Sequence, residues 1–297
     1  MKRKLLISGS AGFVAGSAIS QALKEWEVFA WDKTTAPAKQ TGLTGLMIDL
    51  SNEGEVTENF KRINPHAVIH AAALADIDYC QANQSQAEKI NVGVTKILTN
   101  LCKENGAKFV FCSTDTVFSG QEGHYSESDT PHPLNFYAET KVRAENMIRK
   151  NYTNSLIARL SLVMGLPVMG RGNSFVSRTL AKLKAGQIVE FPQNEIRTPL
   201  DVVTAGRALV ELAGNDFTGI IHLAGNDRIN RFEMARQIVR HLGFSPDKVV
   251  PVNSNAIAGR ARRPDDVSLN NGLAKKILNT SMRSLAERIK LAIENRP

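Results

Sequence analysis

Cysteine is scarce in this chain of 297 residues: Cys80, Cys102 and Cys112 are the three present. Their number is odd and their spacing matches no metal or redox motif, so they read as buried free thiols of a reducing compartment, the cytoplasm. Long apolar runs are missing too. Ala67-Val68-Ile69, leading through His70 to Ala71-Ala72-Ala73-Leu74, is far too short to span a bilayer. The basic start Met1-Lys2-Arg3-Lys4 precedes an apolar stretch that Ser8-Gly9-Ser10 cuts at once, which suits a strand entering a turn better than a signal peptide. Of six histidines only His66 and His70 stand four apart, and on a strand that is about 13 Å. No metal site is expected. Repeats and low-complexity segments are also lacking, which removes any reason to invoke disorder.

What is present is ordinary soluble composition, 42% hydrophobic and 22% charged, with an excess of positive charge, +8. The basic residues are dispersed and not gathered into a tract with aromatics, so nucleic-acid binding is not expected. A net positive cleft would instead attract a dinucleotide and a nucleotide-diphosphate substrate.

Short β-branched runs alternate with amphipathic stretches over the first two-thirds of the chain. Leu5–Ser8, Val28–Trp31, Val68–Ala71, Phe109–Cys112 and Leu156–Leu160 read as strands. Ala15–Lys24, Val56–Ile63, Gln86–Glu104 and Tyr137–Asn151 read as helices. This rhythm predicts an α/β fold, a Rossmann-like doubly wound parallel sheet. A break at Gly170-Arg171-Gly172, a helix over Ser174–Lys184 and a turn-rich Phe191–Pro199 follow. The predicted organisation is a dinucleotide-binding domain over 1–165 and a smaller, mainly helical, substrate-binding lobe over 166–297. A helix at Asp201–Leu212 and a strand at Ile220–Leu223 return the segment 201–225 to the sheet.

The first strand ends in Gly9-Ser10-Ala11-Gly12-Phe13-Val14-Ala15-Gly16, directly before a helix. Glycines there let backbone N–H groups approach a pyrophosphate and set the anion at a helix N-terminus. Asp32 closes the second strand, where a carboxylate accepts from the adenosine ribose hydroxyls and repels a 2′-phosphate. NAD(H) is therefore favoured, while Lys33 beside it leaves NADP(H) open. Asp49-Leu50 follows the third strand, and Asp49 reads equally as an adenine contact or as the N-cap of the next helix.

Tyr137 and Lys141 share one helix face. A nearby ammonium would lower the tyrosine pKa from its ordinary value of about 10, fitting the phenol to protonate a carbonyl oxygen as hydride arrives. Thr114, at the carboxyl end of a strand, can bind the same oxygen.

Together with His70-Ala71-Ala72-Ala73, Ile90-Asn91-Val92, Ser113-Thr114-Asp115, Arg159 to Gly165, and Arg262-Arg263-Pro264-Asp265-Asp266-Val267-Ser268-Leu269, these motifs cover nearly the whole chain. The chain resembles the extended short-chain dehydrogenase/reductases and, within them, the dTDP-4-dehydrorhamnose reductase family. The resemblance implies reduction of a 4-keto group on a nucleotide-diphosphate sugar, with Thr114, Tyr137 and Lys141 catalytic and Lys141 also holding the nicotinamide ribose. It implies dinucleotide contacts from Gly9, Ala11, Gly12, Phe13, Val14, Asp32, Lys33, Asp49, Leu50, Ala71, Ala72, Ala73, Asn91, Cys112, Tyr137 and Lys141. Substrate contacts fall to Ala75, Thr114, Thr116, Leu162, Arg197 and Arg263.

The chain departs from the family at two positions. Thr116 stands where the family usually has tyrosine, and Ser161-Leu162-Val163 where it often has tryptophan. The first helix shows no acidic residue in Ser17-Ala18-Ile19-Ser20, so the metal-bridged dimer of some members is not expected. Arg197, Arg260, Arg262 and Arg263 are candidates to clamp a diphosphate. The alternatives are an epimerase or dehydratase, for which Asp115 would be the extra carboxylate, and a non-catalytic regulator similar to the beta subunit of methionine adenosyltransferase. Gln86–Glu104 and Tyr137–Asn151 correspond to the helices on which the superfamily commonly forms homodimers.

Overall fold

The computed structural model describes residues 2–35, 40–169 and 174–294, so the expected break at Gly170-Arg171-Gly172 lies outside the described residues. Strands β1 (Arg3–Ser8), β2 (Trp26–Asp32), β3 (Leu43–Met47), β4 (Ala67–His70), β5 (Lys108–Thr114) and β6 (Ser155–Leu160) come first. The short β7 (Val163–Met164), β8 (Val189–Pro192), β9 (Ile196–Arg197) and β10 (Leu200–Asp201) follow, then β11 (Gly219–Leu223), β12 (Ile229–Asn230) and β13 (Val249–Val252). One seven-stranded sheet runs in the order β11-β6-β5-β4-β1-β2-β3, with all pairs parallel. Its strand order reverses between β1 and β4, and ligands of open α/β sheets bind outside the carboxyl ends at such a reversal.

The helices are α1 (Phe13–Ala22), α2 (Glu53–Ile63), α3 (Ile77–Ala82), α4 (Gln84–Glu88), α5 (Thr95–Asn105), α6 (Phe136–Asn151), α7 (Phe175–Lys184), α8 (Val202–Gly214), α9 (Arg231–His241), α10 (Gly272–Ile277) and α11 (Leu285–Glu294). They cover the sheet on two faces. Leu5, Ile7, Val28 and Ile69 point into one core with α1 and α8. Leu6, Val68, Phe109 and Phe111 point into the other with α2, α5 and α6. This alternation is the two-residue period of a strand buried on both sides. The N-cap of α2 is Asn52, which accepts from the Glu55 N–H, and not Asp49. Glu53 and Glu55 in its first turn, with Lys61 and Arg62 in its last, suit the helix dipole.

The single helix expected over Gln86–Glu104 is instead α4, a π-helical turn at Lys89–Val94, and α5. Asn91 explains the widening. It is buried, accepts from the Leu74 N–H (2.8 Å) and donates to the Leu74 carbonyl (3.1 Å) and the Thr140 hydroxyl (3.0 Å). The segment 166–297 is less purely helical than expected, because the pairs β9–β12 and β8–β13 lie within it.

Two buried histidines stitch the layers together. The ring of His70 meets the hydroxyls of Ser8 (2.6 Å) and Thr95 (3.1 Å), while that of His222 lies 3.1 Å from the Tyr125 carbonyl and 3.4 Å from Arg159. Burial, and then the nearby cations Lys141 and Arg159 respectively, hold both pKa values down to about 3. The unfolded chain binds these protons from about pH 6.5 downward and the folded one does not. Stability present above that pH is therefore lost as pH falls toward 3. Urea midpoints should drop between neutral pH and about pH 4, and His222→Gln should flatten part of that drop; equal slopes for variant and wild type would contradict the assignment.

Candidate active site

The glycine turn sits at the carboxyl end of β1. The N–H groups of Gly9 (2.8 Å) and Ser10 (3.0 Å) donate to the Trp31 carbonyl. Gly9 has φ +73°, and a Cβ there would lie 2.7 Å from the Ala72 backbone, so only glycine lets this turn approach the β4 segment. Gly12 caps α1 without a side-chain bond, and no acidic residue occupies the first turn of the helix. The Ser10 hydroxyl is buried with no partner among the described residues. An open helix N-terminus beside an unsatisfied hydroxyl fits a pyrophosphate.

Asp32 accepts from the Ala11 N–H (3.0 Å) and from the Thr34 N–H (2.9 Å) and hydroxyl (2.8 Å). Desolvation works to raise its pKa, but these bonds outweigh it and keep the carboxyl below its ordinary value. Lys33 pairs with Asp49 at 2.9 Å. That contact, first, and then bonds from Ser51 push Asp49 down to about 2. Lys33, the residue after Asp32, is thus turned to Asp49.

Helix α6 begins at Phe136 behind Asn135, whose side chain accepts from the Ala138 N–H. Tyr137 and Lys141 follow on one face, and the Thr114 hydroxyl at the end of β5 lies in hydrogen-bonding reach of the Tyr137 phenol. Thr114 and Tyr137 are therefore neighbours, and Lys141 follows one turn later on α6. Their electrostatics differ from the expectation. Burial first, then the Asp115 carboxylate, raise the Tyr137 pKa above its ordinary value, and the Thr114 bond opposes them. The Lys141 ammonium sits 4.0 Å from the centre of the Phe111 ring, and burial lowers its pKa to about 8. Tyr137 is thus held as a protonated phenol, a donor in reserve. Burial also pushes Cys112, beside Lys141, up to about 12, an inert thiol.

Behind this face lies a fully buried ion pair. Glu145, one turn beyond Lys141, takes a fork from Arg159 of β6 (2.7 and 3.1 Å) and a 2.5 Å bond from the Ser113 hydroxyl. On the other side Asp115 takes the Thr114 and Ser161 hydroxyls at 3.3 Å, and Arg197 lies 3.9 Å away. Thr116 bonds Thr114 at 3.0 Å. Leu162 packs on the second-lobe core, and Ala75 is exposed in the loop after β4.

Two of the arginines expected at a diphosphate are spent elsewhere. Arg197 is buried and donates to the carbonyls of Ile196, Pro264 and Asp265. Arg263 forks Asp78 at 2.7 and 2.8 Å. A cavity of about 290 Å³ in the second lobe is lined instead by Phe175, Phe191, Arg178, Lys182, Arg231 and Arg260. Arg178, Lys182 and Arg231 had not been singled out from sequence; a basic i, i+4 pair on α7 is the signal that could have found two of them. Arg231 keeps a buried Nε with no partner among the described residues.

A parallel sheet with a glycine turn at its first crossover and a Thr/Tyr/Lys set on β5 and α6 defines an extended short-chain dehydrogenase/reductase. The model of the RmlD substrate binding domain matches residues 3–296, and the chain belongs to that family. It is 26% identical to dTDP-4-dehydrorhamnose reductase of Mycobacterium tuberculosis over 260 residues, covering 84% of this chain and 79% of that one. It is 25% identical to the beta subunit of methionine adenosyltransferase 2 of Rattus norvegicus over 273 residues, 90% of this chain and 80% of that one. The structure of dTDP-4-dehydrorhamnose reductase from Bacillus anthracis, a complex with NADP, superposes with a TM-score of 0.87 at 23% identity, covering 98% and 99% of the two chains.

The Glu145–Arg159 pair gives a direct test of how the site is held. Arg159→Met should cost roughly 3–5 kcal/mol, because it leaves a buried carboxylate unpaired, whereas Glu145→Leu combined with Arg159→Met should recover much of that loss. Denaturant titration of the three proteins checks it; a single variant as stable as wild type would be the wrong outcome.

Proposed function

We propose that this chain is a nicotinamide-dependent reductase that converts the C4 carbonyl of a nucleotide-diphosphate sugar to a hydroxyl. The observation that carries the reading is a protonated Tyr137 beside Thr114 at the carboxyl end of β5, with Lys141 one turn along α6, in a sheet whose first strand ends at the open N-terminus of α1. The dinucleotide, when bound, supplies the hydride. Gly9, Ser10, Ala11 and the first turn of α1 fit its pyrophosphate, and Asp32 fits the adenosine ribose. Thr114 holds the substrate oxygen, and Tyr137 gives it a proton as negative charge develops there. Lys141 then steadies the phenolate that is left, being a cation below about pH 8.

The cationic cavity of the second lobe suits the diphosphate and base of the substrate, since guanidinium forks match phosphate oxygens. Arg231 and Arg260 are its candidate clamps. Asp32 beside an already paired Lys33 favours NADH over NADPH. Three buried free thiols fit the cytoplasm. A homodimer through α5 and α6 belongs to the same proposal, and sedimentation tests it. The relationship to methionine adenosyltransferase beta subunits raises a regulatory reading, but an assembled Thr/Tyr/Lys set has no purpose in a regulator.

Thermal unfolding with NADH, NADPH and a panel of nucleotide sugars tests the proposal. A ligand at a hundred times its Kd adds about 2.7 kcal/mol, so NADH should raise Tm, one nucleotide sugar should raise it further, and a shift with neither dinucleotide would refute the reading. NADH should bind at least about tenfold more tightly than NADPH, with Asp32→Ala narrowing the gap. With the sugar identified, Tyr137→Phe should lower turnover by roughly 10²–10⁴-fold. The rate should also fall as pH rises through about 8, where Lys141 loses its proton, and that limb should vanish in Lys141→Met.

A further inference from the structure

The segment from Arg260 to Asp266 crosses from the second lobe onto the sheet domain and is tied down at several points. The Asp78 carboxylate on α3 accepts both arms of the Arg263 fork (2.7 and 2.8 Å) and the Ala261 N–H (2.9 Å). Arg260, which also lines the basic cavity, brings its Nε to 3.8 Å from the same carboxylate. The Asn135 side chain, which caps α6 immediately before Tyr137, donates to the Arg262 carbonyl at 3.0 Å. Gly120, at φ +77°, lets the segment pass close: a Cβ there would lie 2.7 Å from the Asp265 nitrogen. Ahead of the segment, Asn255 bonds both the N–H and the carbonyl of Arg263 (3.0 and 3.1 Å).

The short helix α3 is the joint. Three residues after Asp78, Gln81 accepts from the Phe136 N–H at 3.1 Å, the first N–H of the catalytic helix. One helical turn therefore fixes both the start of α6 and the arginine segment. Asp78 is itself partly exposed, 42% of its side chain, while Arg263 is 9% exposed. A bidentate pair shielded on one side keeps more of its strength than an open surface pair.

We propose that Asp78 is a positioning residue that clasps the segment 260–266 to the sheet domain and thereby aims Arg260 into the cavity that takes the substrate diphosphate. This rests on the reductase reading for the identity of that substrate, while the clasp itself does not. The carboxylate meets the arginines from the sheet-domain side and the diphosphate would meet Arg260 from the cavity side, so Asp78 acts on the substrate through Arg260 without touching it. Losing the clasp should weaken substrate capture while leaving the chemical step and the dinucleotide turn intact, because the start of α6 is held by Gln81 and by its own Asn135 cap and not by the Asp78 carboxylate.

The test uses full-length wild type, Asp78→Asn and Asp78→Glu. Hydrogen–deuterium exchange of the amides in 255–266 should accelerate roughly tenfold in Asp78→Asn, with α5 and the sheet unchanged. With the nucleotide sugar found by thermal shift, KM should rise about tenfold in Asp78→Asn with kcat nearly unaltered and the NADH Kd unchanged. Asp78→Glu, which keeps the charge, should restore part of the loss. Unchanged exchange together with unchanged KM would overturn the clasp, as would a fall in kcat with KM constant. If exchange accelerates but no nucleotide sugar binds even the wild type, the reductase reading and the substrate role of Arg260 both fail, and the clasp stands as an inter-lobe contact alone.

Discussion

The buried ion pair between Glu145 and Arg159 is the constraint on which the arrangement of the site depends. Both side chains are almost wholly removed from water, and two such charges cost several kcal/mol each to desolvate unless geometry and extra bonds offset it. Here the carboxylate takes a guanidinium fork and a serine hydroxyl, and the guanidinium also meets His222 and lies over the Phe118 ring. No sliding of α6 along the sheet keeps all of these. The pair thus sets the height of the helix that carries Tyr137 and Lys141 against the strand that carries Thr114. Ser113, which bonds Glu145, is the residue before Thr114, so strand and helix are pinned within one residue and one turn of the chemistry.

A second set of buried charges runs outward from the same point. Asp115 faces Arg197, Arg197 lies 3.4 Å from Glu195, and Glu195 pairs with Arg231 at 2.8 Å on the cavity wall. Signs alternate along this row, so each charge stabilises its neighbours, and removing an interior member would strand two others. Desolvation raises the Asp115 pKa while Arg197 works against it, and desolvation of Glu195 is more than offset by Arg231 and then Arg197. This is why Arg197 is buried in a segment that otherwise reads as a phosphate clamp. Its work is to join the lobes behind the site, and the cavity is left to arginines from α7, α9 and the segment before Arg263.

Much of this was legible in the sequence, for definite physical reasons. Parallel strands buried on both faces appear as continuous apolar runs, and all the sheet strands given ranges from sequence fall within two residues of their observed limits. The glycine turn and the Tyr137/Lys141 pair act through local spacing, which a sequence displays directly. What was not legible depended on distant partners. Nothing near Arg263 says that its fork meets Asp78, 185 positions earlier, and not a phosphate. Nothing near Asn91 says that its side chain turns inward to Leu74 and Thr140, widening a helix into a π turn. The direction of the Tyr137 shift was missed for the same reason. Spacing places an ammonium one turn away, but only packing shows that burial and Asp115 dominate it. Two-residue strands such as β9 and β12 carry no periodicity from which to read them.

The departures from the family pattern adjoin Thr114, and the structure gives them a common physical character. Thr116 bonds Thr114, Thr114 and Ser161 bond Asp115, and Thr198 bonds Ser161, at 3.0 to 3.3 Å throughout. Where aromatic rings would supply a rigid apolar wall, this chain has a ladder of small hydroxyls anchored on one buried carboxylate. Each of these hydroxyls already has a partner within the ladder, so the wall is polar and yet internally satisfied.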